Sequence, residues 1–318
     1  MRRIATEEHF LTQDLINYIH SRKVAPTQPV LDDPTTRACI DVPLRLREMD
    51  KAGIDMQLLS LSSQYIELLE PENAIIWSQK TNDELAQWVK AHPTRFAGLC
   101  SLPCQDPATA VAELERCVKK LGMRGALIKS NIRSEYMDDR KYWPIWEKAE
   151  KLNVPIYLHP RSPSADMEKP YLKYPGMNSA MIGFGHDTHL HVLRLMCSGL
   201  FDEFPKLKIV IGHMGETFPY LLWRIDNHFS RFEQYKKLKK KPSGYFRDNF
   251  VITISGVNWY PSLLCAMLTI GIDSILFAVD YPHEENIPAV KFIDEAPISV
   301  GDKKKIFHLN AERVFRLV

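Results

Sequence analysis

Eight short apolar runs, separated by stretches of helical periodicity, leave this chain few architectures. The runs are Ile4–His9, Met56–Leu61, Phe96–Cys100, Gly125–Lys129, Pro155–His159, Lys208–Gly212, Val251–Ile254 and Ile275–Ala278. Between them, Pro71–Lys90, Pro107–Leu121, Trp143–Leu152 and His189–Phe201 repeat apolar residues at helical spacing. Pro71 and Pro107 suit first helical turns, where a missing N–H costs nothing. Strands alternating with helices imply right-handed βαβ units and a parallel sheet. Eight units point to an α/β fold closed as a (β/α)8 TIM-type barrel rather than to an open doubly wound sheet. No G-x-G-x-x-G or P-loop run is present to favour nucleotide binding. The 318 residues fit one large domain spanning 1–318, with no linker or internal repeat. A last helix, Gly301–Phe315, is expected to close the barrel, with Asp302 near its start and Asn310 buried.

Two segments interrupt the rhythm, Ile19–Val42 after the first strand and Arg161–Gly185 after the fifth. Loops that follow strands lie on the C-terminal face of a barrel, and loops this long usually carry binding or lid functions. The net charge of +2 favours no nucleic-acid partner, and the run Lys236–Lys241 reads as a solvated helix end or loop. The six cysteines show no CxxC spacing, and no signal peptide or membrane span is visible. Reduced thiols in a cytoplasmic protein are the expectation.

The chemistry-bearing residues stand at strand ends. Glu7 and His9 alternate along the first strand and so face one point. His159 ends the fifth strand, His213 the sixth, and Asp280 follows the eighth. In a barrel all strand C-termini meet at one mouth, so these five side chains converge although they span most of the chain. Mixed nitrogen and oxygen donors suit a divalent ion such as Zn²⁺, Mn²⁺ or Fe²⁺. His20, His92, His228 and His308 read as surface or capping residues. His186, His189 and His191 are candidates for the lining of the mouth, with helix-start packing as the default, and His283 reads as a neighbour of Asp280.

Glu7-x-His9, Tyr157-Leu158-His159-Pro160, Gly212-His213-Met214-Gly215-Glu216, Trp223-Arg224-Ile225-Asp226 and Asp280-Tyr281-Pro282 together resemble the amidohydrolase superfamily. More narrowly they are similar to its decarboxylase branch, which includes the aminocarboxymuconate-semialdehyde, γ-resorcylate and 5-carboxyvanillate decarboxylases. The resemblance covers nearly the whole chain. It implies Glu7, His9, His159 and Asp280 as ligands of one divalent metal, Zn or Mn. It implies that His213 bonds the substrate or a water, oriented by Glu216 one turn on, and that Asp280 supplies the catalytic proton. Arg224 and Arg231 are candidates for the substrate carboxylate, since guanidinium binds carboxylates bidentately. Lys129 departs from the branch's pattern. It is a candidate substrate contact, a bridging ligand, or a lysine packed at the barrel rim.

The resemblance implies a metal-dependent carboxy-lyase that removes CO₂ from an aromatic acid with an ortho hydroxyl. The alternative is a metal-dependent hydrolase or hydratase of a lactone or keto-acid of aromatic catabolism, in which the same site ionises a water. Expected partners are a small aromatic acid and further copies of the chain, as homodimer or homotetramer, through the segment around Trp223, Phe229 and Phe232.

Overall fold

The computed structural model describes residues 1–22, 33–62 and 65–317. Among the described residues nine strands appear: β1 (Ile4–Phe10), β2 (Met56–Leu61), β3 (Phe96–Gly98), β4 (Cys100–Ser101), β5 (Ala126–Lys129), β6 (Ile156–His159), β7 (Ile209–Ile211), β8 (Phe250–Thr253) and β9 (Ile275–Leu276). Every pairing is parallel. β3 and β4 are halves of one barrel strand, split at Leu99. The Leu99 N–H bonds back to the Leu59 carbonyl at 2.8 Å, and the Cys100 N–H bonds forward to that of Gly125 at 3.0 Å. The ring closes where Thr6 N–H meets Phe277 O at 3.1 Å and Asp280 N–H meets Glu7 O at 2.9 Å. The expected (β/α)8 barrel is therefore present.

Strand parity sorts the core into two layers. Ile4, Leu58, Leu99, Leu127, Tyr157, Val210, Val251 and Leu276 point into the barrel, closed below by Ala311, Phe315 and Leu317. Their neighbours, such as Leu59, Ile128, Leu158 and Ile211, pack outward against the helices. Fully burying each such side chain contributes about 1.5–3 kcal/mol, so parity is strongly enforced. Two residues beyond the inward layer lie Lys129 after Leu127, His159 after Tyr157, Gly212 after Val210 and Thr253 after Val251. The mouth of the barrel is thus polar for the same reason that its interior is apolar.

Several boundaries differ from the sequence reading. Much of Ile19–Val42 is helical: helices cover Gln13–Arg22 and Pro34–Ile40, and residues 23–32 lie outside the described residues. The cause is capping. Asp33 accepts the Thr36 N–H at 3.0 Å ahead of Pro34, and Asp41 accepts the Leu44 N–H at 2.8 Å, opening the helix Val42–Ala52. Arg161–Gly185 holds a short helix, Ala165–Glu168, and a 3₁₀ segment, Lys169–Lys173. The helix expected at His189–Phe201 runs instead from Gly183 to Ser198 and stops at Gly199, whose φ of 86° suits glycine. The C-terminal helix is three segments, with a wide π turn at Lys305–Leu309. There the Ile306 carbonyl accepts the Phe277 N–H at 2.8 Å, and Asn310 caps β9 through the Ile272 and Ile275 carbonyls. No helix among the described residues is long and apolar enough to cross a membrane.

Candidate metal centre and active site

Glu7 and His9 share the inner face of β1, while Glu8 between them turns outward. A register shift between Ala5 and Glu8 lets Glu8 accept the N–H groups of Val279 and Tyr281, at 2.9 and 3.2 Å. This ties β1 to the segment that carries Asp280. Glu7, His9, His159 and Asp280 each offer a donor atom, and the four atoms lie within 4.8 Å of one another.

The donors are aimed at a common point rather than at each other. His9 Nε2 and His159 Nε2 are 3.0 Å apart, and His159 Nε2 stands 3.3 Å from Glu7 Oε1. Asp280 Oδ1 is 2.9 Å from His9 Nε2. Yet Glu7 Oε1 and Asp280 Oδ1 are buried oxygens without a hydrogen bond. Buried carboxylate oxygens without partners are costly unless a cation takes the lone pairs. His159 presents the tautomer such an ion needs. The Pro160 carbonyl, 2.8 Å from His159 Nδ1, can only accept, so Nδ1 carries the hydrogen and Nε2 the lone pair. His9 Nδ1 contacts Ser60 Oγ at 3.3 Å. Burial, then the nearby Lys129, holds the His159 pKa well below its ordinary value, which keeps the ring neutral. The residues therefore fit one divalent ion.

The other Glu7 oxygen is held by protein. Oε2 accepts from Tyr157 OH, Thr253 Oγ1 (3.0 Å) and Ser255 Oγ. Gly212 makes room for this carboxylate, since a Cβ there would lie 2.8 and 2.9 Å from its two oxygens. The sequence reading assigned no role to Tyr157, Gly212, Thr253 or Ser255. Their signal was parity: Tyr157 lies two before His159, Gly212 two after the inward Val210, and Thr253 and Ser255 two and four after the inward Val251.

His213 approaches from the opposite side. Its Nε2 is 3.7 Å from Glu7 Oε1 and 3.6 Å from Asp280 Oδ2, and its Nδ1 is 2.6 Å from Glu216 Oε1. Burial alone would lower its pKa, but the charges of Glu216 and Glu7 outweigh it and hold the imidazole well above its ordinary value. The pairing with Glu216 is as expected, but the turn is not the ordinary right-handed one. His213, Met214, Gly215, Glu216 and Thr217 all have positive φ, between 48° and 80°. This left-handed turn hangs on Ser255 Oγ, which accepts the His213 N–H at 3.1 Å. Asp280 shares the conformation, with φ of 80°. Burial would raise the Asp280 pKa, but the imidazoles of His213 and His9 beside it hold it well below the usual carboxylate range.

A cavity of ≈ 280 Å³ opens over these groups, lined among others by Phe184, His186, Val257 and Glu284 with His213, Glu216 and Asp280. Three predicted contacts do not line it. Lys129 points into the barrel beside β6, its Nζ 3.1 Å from His159 Nδ1, and burial pushes its pKa down to about 8. Arg224 and Arg231 are exposed at the helix Phe218–Phe229 and just after it. Arg224 faces an outer hollow with Cys197 and Phe232, so within one chain neither arginine reaches the cluster. Their helix follows the His213 strand in sequence but turns that face outward. His189 stacks on Phe218, and His191 is a buried acceptor for the Met137 N–H. His283 packs beside His9, ring centroids 5.5 Å apart.

A parallel barrel with Glu-x-His on its first strand, histidines on two others and an aspartate after its last defines a metal-dependent barrel enzyme. The amidohydrolase family model matches residues 9–317, and the chain belongs to that family. It is 40% identical over 326 residues to γ-resorcylate decarboxylase from Polaromonas sp. JS666, covering 99% of this chain and 98% of that protein. The crystal structure of 5-carboxyvanillate decarboxylase from Sphingomonas paucimobilis superposes with a TM-score of 0.95 at 39% identity, covering 100% of this chain and 99% of the other. A dihydroxybenzoic acid decarboxylase structure from Polaromonas sp. JS666 contains manganese and the inhibitor 2-nitroresorcinol. It aligns with a TM-score of 0.91 at 39% identity, covering 99% of this chain and 97% of that one.

Proposed function

We propose that this chain is a metal-dependent, non-oxidative decarboxylase of an aromatic acid with a hydroxyl ortho to the carboxyl group. The observation that carries the reading is the joint geometry: four donors with two unpartnered carboxylate oxygens, faced by the His213–Glu216 pair. The named relatives are decarboxylases, which favours this reading over the hydrolase or hydratase alternative. A divalent ion held by Glu7, His9, His159 and Asp280, manganese as in the relative's structure or zinc, supplies Lewis-acid stabilisation of the phenolic oxygen and orients the ring.

The chain's own groups carry the proton. Asp280 is ionised before substrate binds, so it accepts the phenol's proton and becomes a strong acid beside the ring. It delivers that proton to the carboxyl-bearing carbon, forming the new C–H bond. The C–C bond then breaks, CO₂ leaves, and its electron pair restores the aromatic ring. His213, kept cationic by Glu216, stabilises the oxyanion and carboxylate through these steps. Phe184 and Val257 offer the ring an apolar wall. Lys129 packs against His159 at the barrel rim, and Arg224 and Arg231 contact the substrate's reacting carboxylate only from a neighbouring copy in a homodimer or homotetramer. The exposed Tyr220, Trp223 and Phe232 support such an assembly, whereas Phe229 is buried against Tyr235. We take residues 1–318 as one catalytic domain, working in the cytoplasm with its six thiols unpaired.

The test is ultraviolet-monitored CO₂ release by the manganese- or zinc-loaded protein over a panel of ortho-hydroxybenzoates and 5-carboxyvanillate. Asp280→Asn is expected to lose about 10²–10⁴-fold in kcat with an unchanged circular dichroism spectrum. Near-normal turnover by that variant overturns the assignment of Asp280.

A further inference from the structure

Carboxylates and histidines are among the residues lining the cavity over the metal centre, and none of the described residues that line it is Lys or Arg. Glu284 is the lining carboxylate that neither the metal centre nor the proton pathway uses. Its backbone is placed by the turn after Asp280, whose carbonyl accepts the N–H groups of His283 and Glu284 at 2.8 and 3.1 Å. Its carboxylate stands on the His213 side of the cavity. A Cβ built on Gly256 would lie 3.4 Å from His213 Cδ2 and 3.8 Å from Glu284 Oε1. Ala180, Met181, Ile182 and Phe184 line the same cavity and add apolar surface without charge. At ≈ 280 Å³ the space is at the small end of ligand pockets, which start near about 300 Å³, so a bound ring has little freedom to turn a substituent away.

We propose that Glu284 is a specificity-determining residue that selects ring acids with a single carboxylate and turns away those with a second one remote from the metal-binding pair. The inference rests on the decarboxylase reading and decides between the substrate classes of the named relatives. A hydroxyl on the far side of the ring can donate to Glu284, whereas a carboxylate there meets a like charge in a partly desolvated mouth. Burial, then the charge of Asp280, raises the Glu284 pKa, and the opposing charge of His213 does not cancel the shift.

Two nitrophenols separate the cases. 2-Nitroresorcinol and 4-hydroxy-3-methoxy-5-nitrobenzoate share an ortho-nitrophenol head, and only the second carries a carboxylate, para to its hydroxyl. Calorimetric Kd values are measured for both on the manganese-loaded wild type and Glu284→Gln. The wild type is expected to prefer 2-nitroresorcinol, and the substitution is expected to shift the ratio of the two Kd values toward the nitrobenzoate by roughly ten-fold. A ratio that is the same in both proteins overturns the role of Glu284 while leaving the decarboxylase reading intact. Failure of the manganese-loaded wild type to bind either analogue overturns the decarboxylase reading, and this inference with it.

Discussion

Gly212→Ala tests whether the metal centre depends on how Glu7 is held. Gly212 has φ of −75° and ψ of −171°, a conformation alanine adopts freely, so the substitution carries no backbone penalty. Its effect is steric and local. The new Cβ would stand 2.8 and 2.9 Å from the two Glu7 oxygens, where ordinary contact begins at 3.4 Å. Glu7 cannot yield without loss, because it is 1% exposed and Tyr157, Thr253 and Ser255 hold Oε2 in place. Moving it by about half an ångström loosens those bonds and swings Oε1 away from the point that His9 and His159 share. Disturbing the groups that orient a metal ligand typically costs 10–100-fold in affinity, or about 1.4–2.7 kcal/mol. The expected result is a manganese Kd raised by that factor in calorimetry. The metal-free variant should melt within a few degrees of metal-free wild type, because its apolar core is untouched. Wild-type manganese affinity in Gly212→Ala would refute the claim that this glycine exists to admit the Glu7 carboxylate.

Two further substitutions probe neighbouring parts of the same construction. Gly185→Ala places a Cβ 2.7 Å from Glu216 Oε2, so it should lower kcat about ten-fold or more through His213 while leaving manganese affinity unchanged. Equal loss in both measurements would show that the His213–Glu216 pair and the metal ligands are one rigid unit. His191 tests the outer scaffold: its Nε2 accepts the Met137 N–H at 3.0 Å, and burial pushes its pKa down to about 3. Between pH 3 and 6.5 the unfolded chain binds the extra proton, so this histidine makes stability fall as pH drops through that window, by up to roughly 5 kcal/mol. Urea melts of His191→Gln should show a flatter pH dependence than wild type, and an identical slope would remove His191 from the account.

What was legible in the chain, and what was not, follows from the range of the forces involved. Strand parity is a local property and puts Glu7 and His9 on one face, while the alternation of strands and helices, read as a barrel, brings them and His159 to one mouth; the register shift between Ala5 and Glu8 that turns that face inward is not written in the pattern. The caps Asp33-Pro34 and Asp41 were equally local, yet the Ile19–Val42 segment read as loop because its proline and aspartate content masked helix starts. The directions of Arg224 and Arg231 are different in kind. Nothing in Trp223-Arg224-Ile225-Asp226 says which side of a surface helix meets the barrel. Packing of Phe218 and Leu222 inward decides it and leaves Arg224 outside.

His213 and Glu216 lie between these cases. A spacing of three residues brings two side chains together in a right-handed turn or a left-handed one, so their contact was readable and the handedness was not. In isolation, left-handed backbone costs about 1–2 kcal/mol per non-glycine residue, and His213, Met214, Glu216 and Thr217 all adopt it. Only tertiary contacts sustain such a turn: the Ser255 hydroxyl on the His213 N–H, His189 Nδ1 at 3.2 Å from the Glu216 carbonyl, and the burial of Met214. Ser255 also bonds Glu7 Oε2, so one hydroxyl fixes both the strained turn and the metal ligand. Ser255 is therefore the common reference of the two halves: removing its hydroxyl should be felt at His213 and Glu7 together, whereas a change confined to the Glu216 carboxylate should stay with His213.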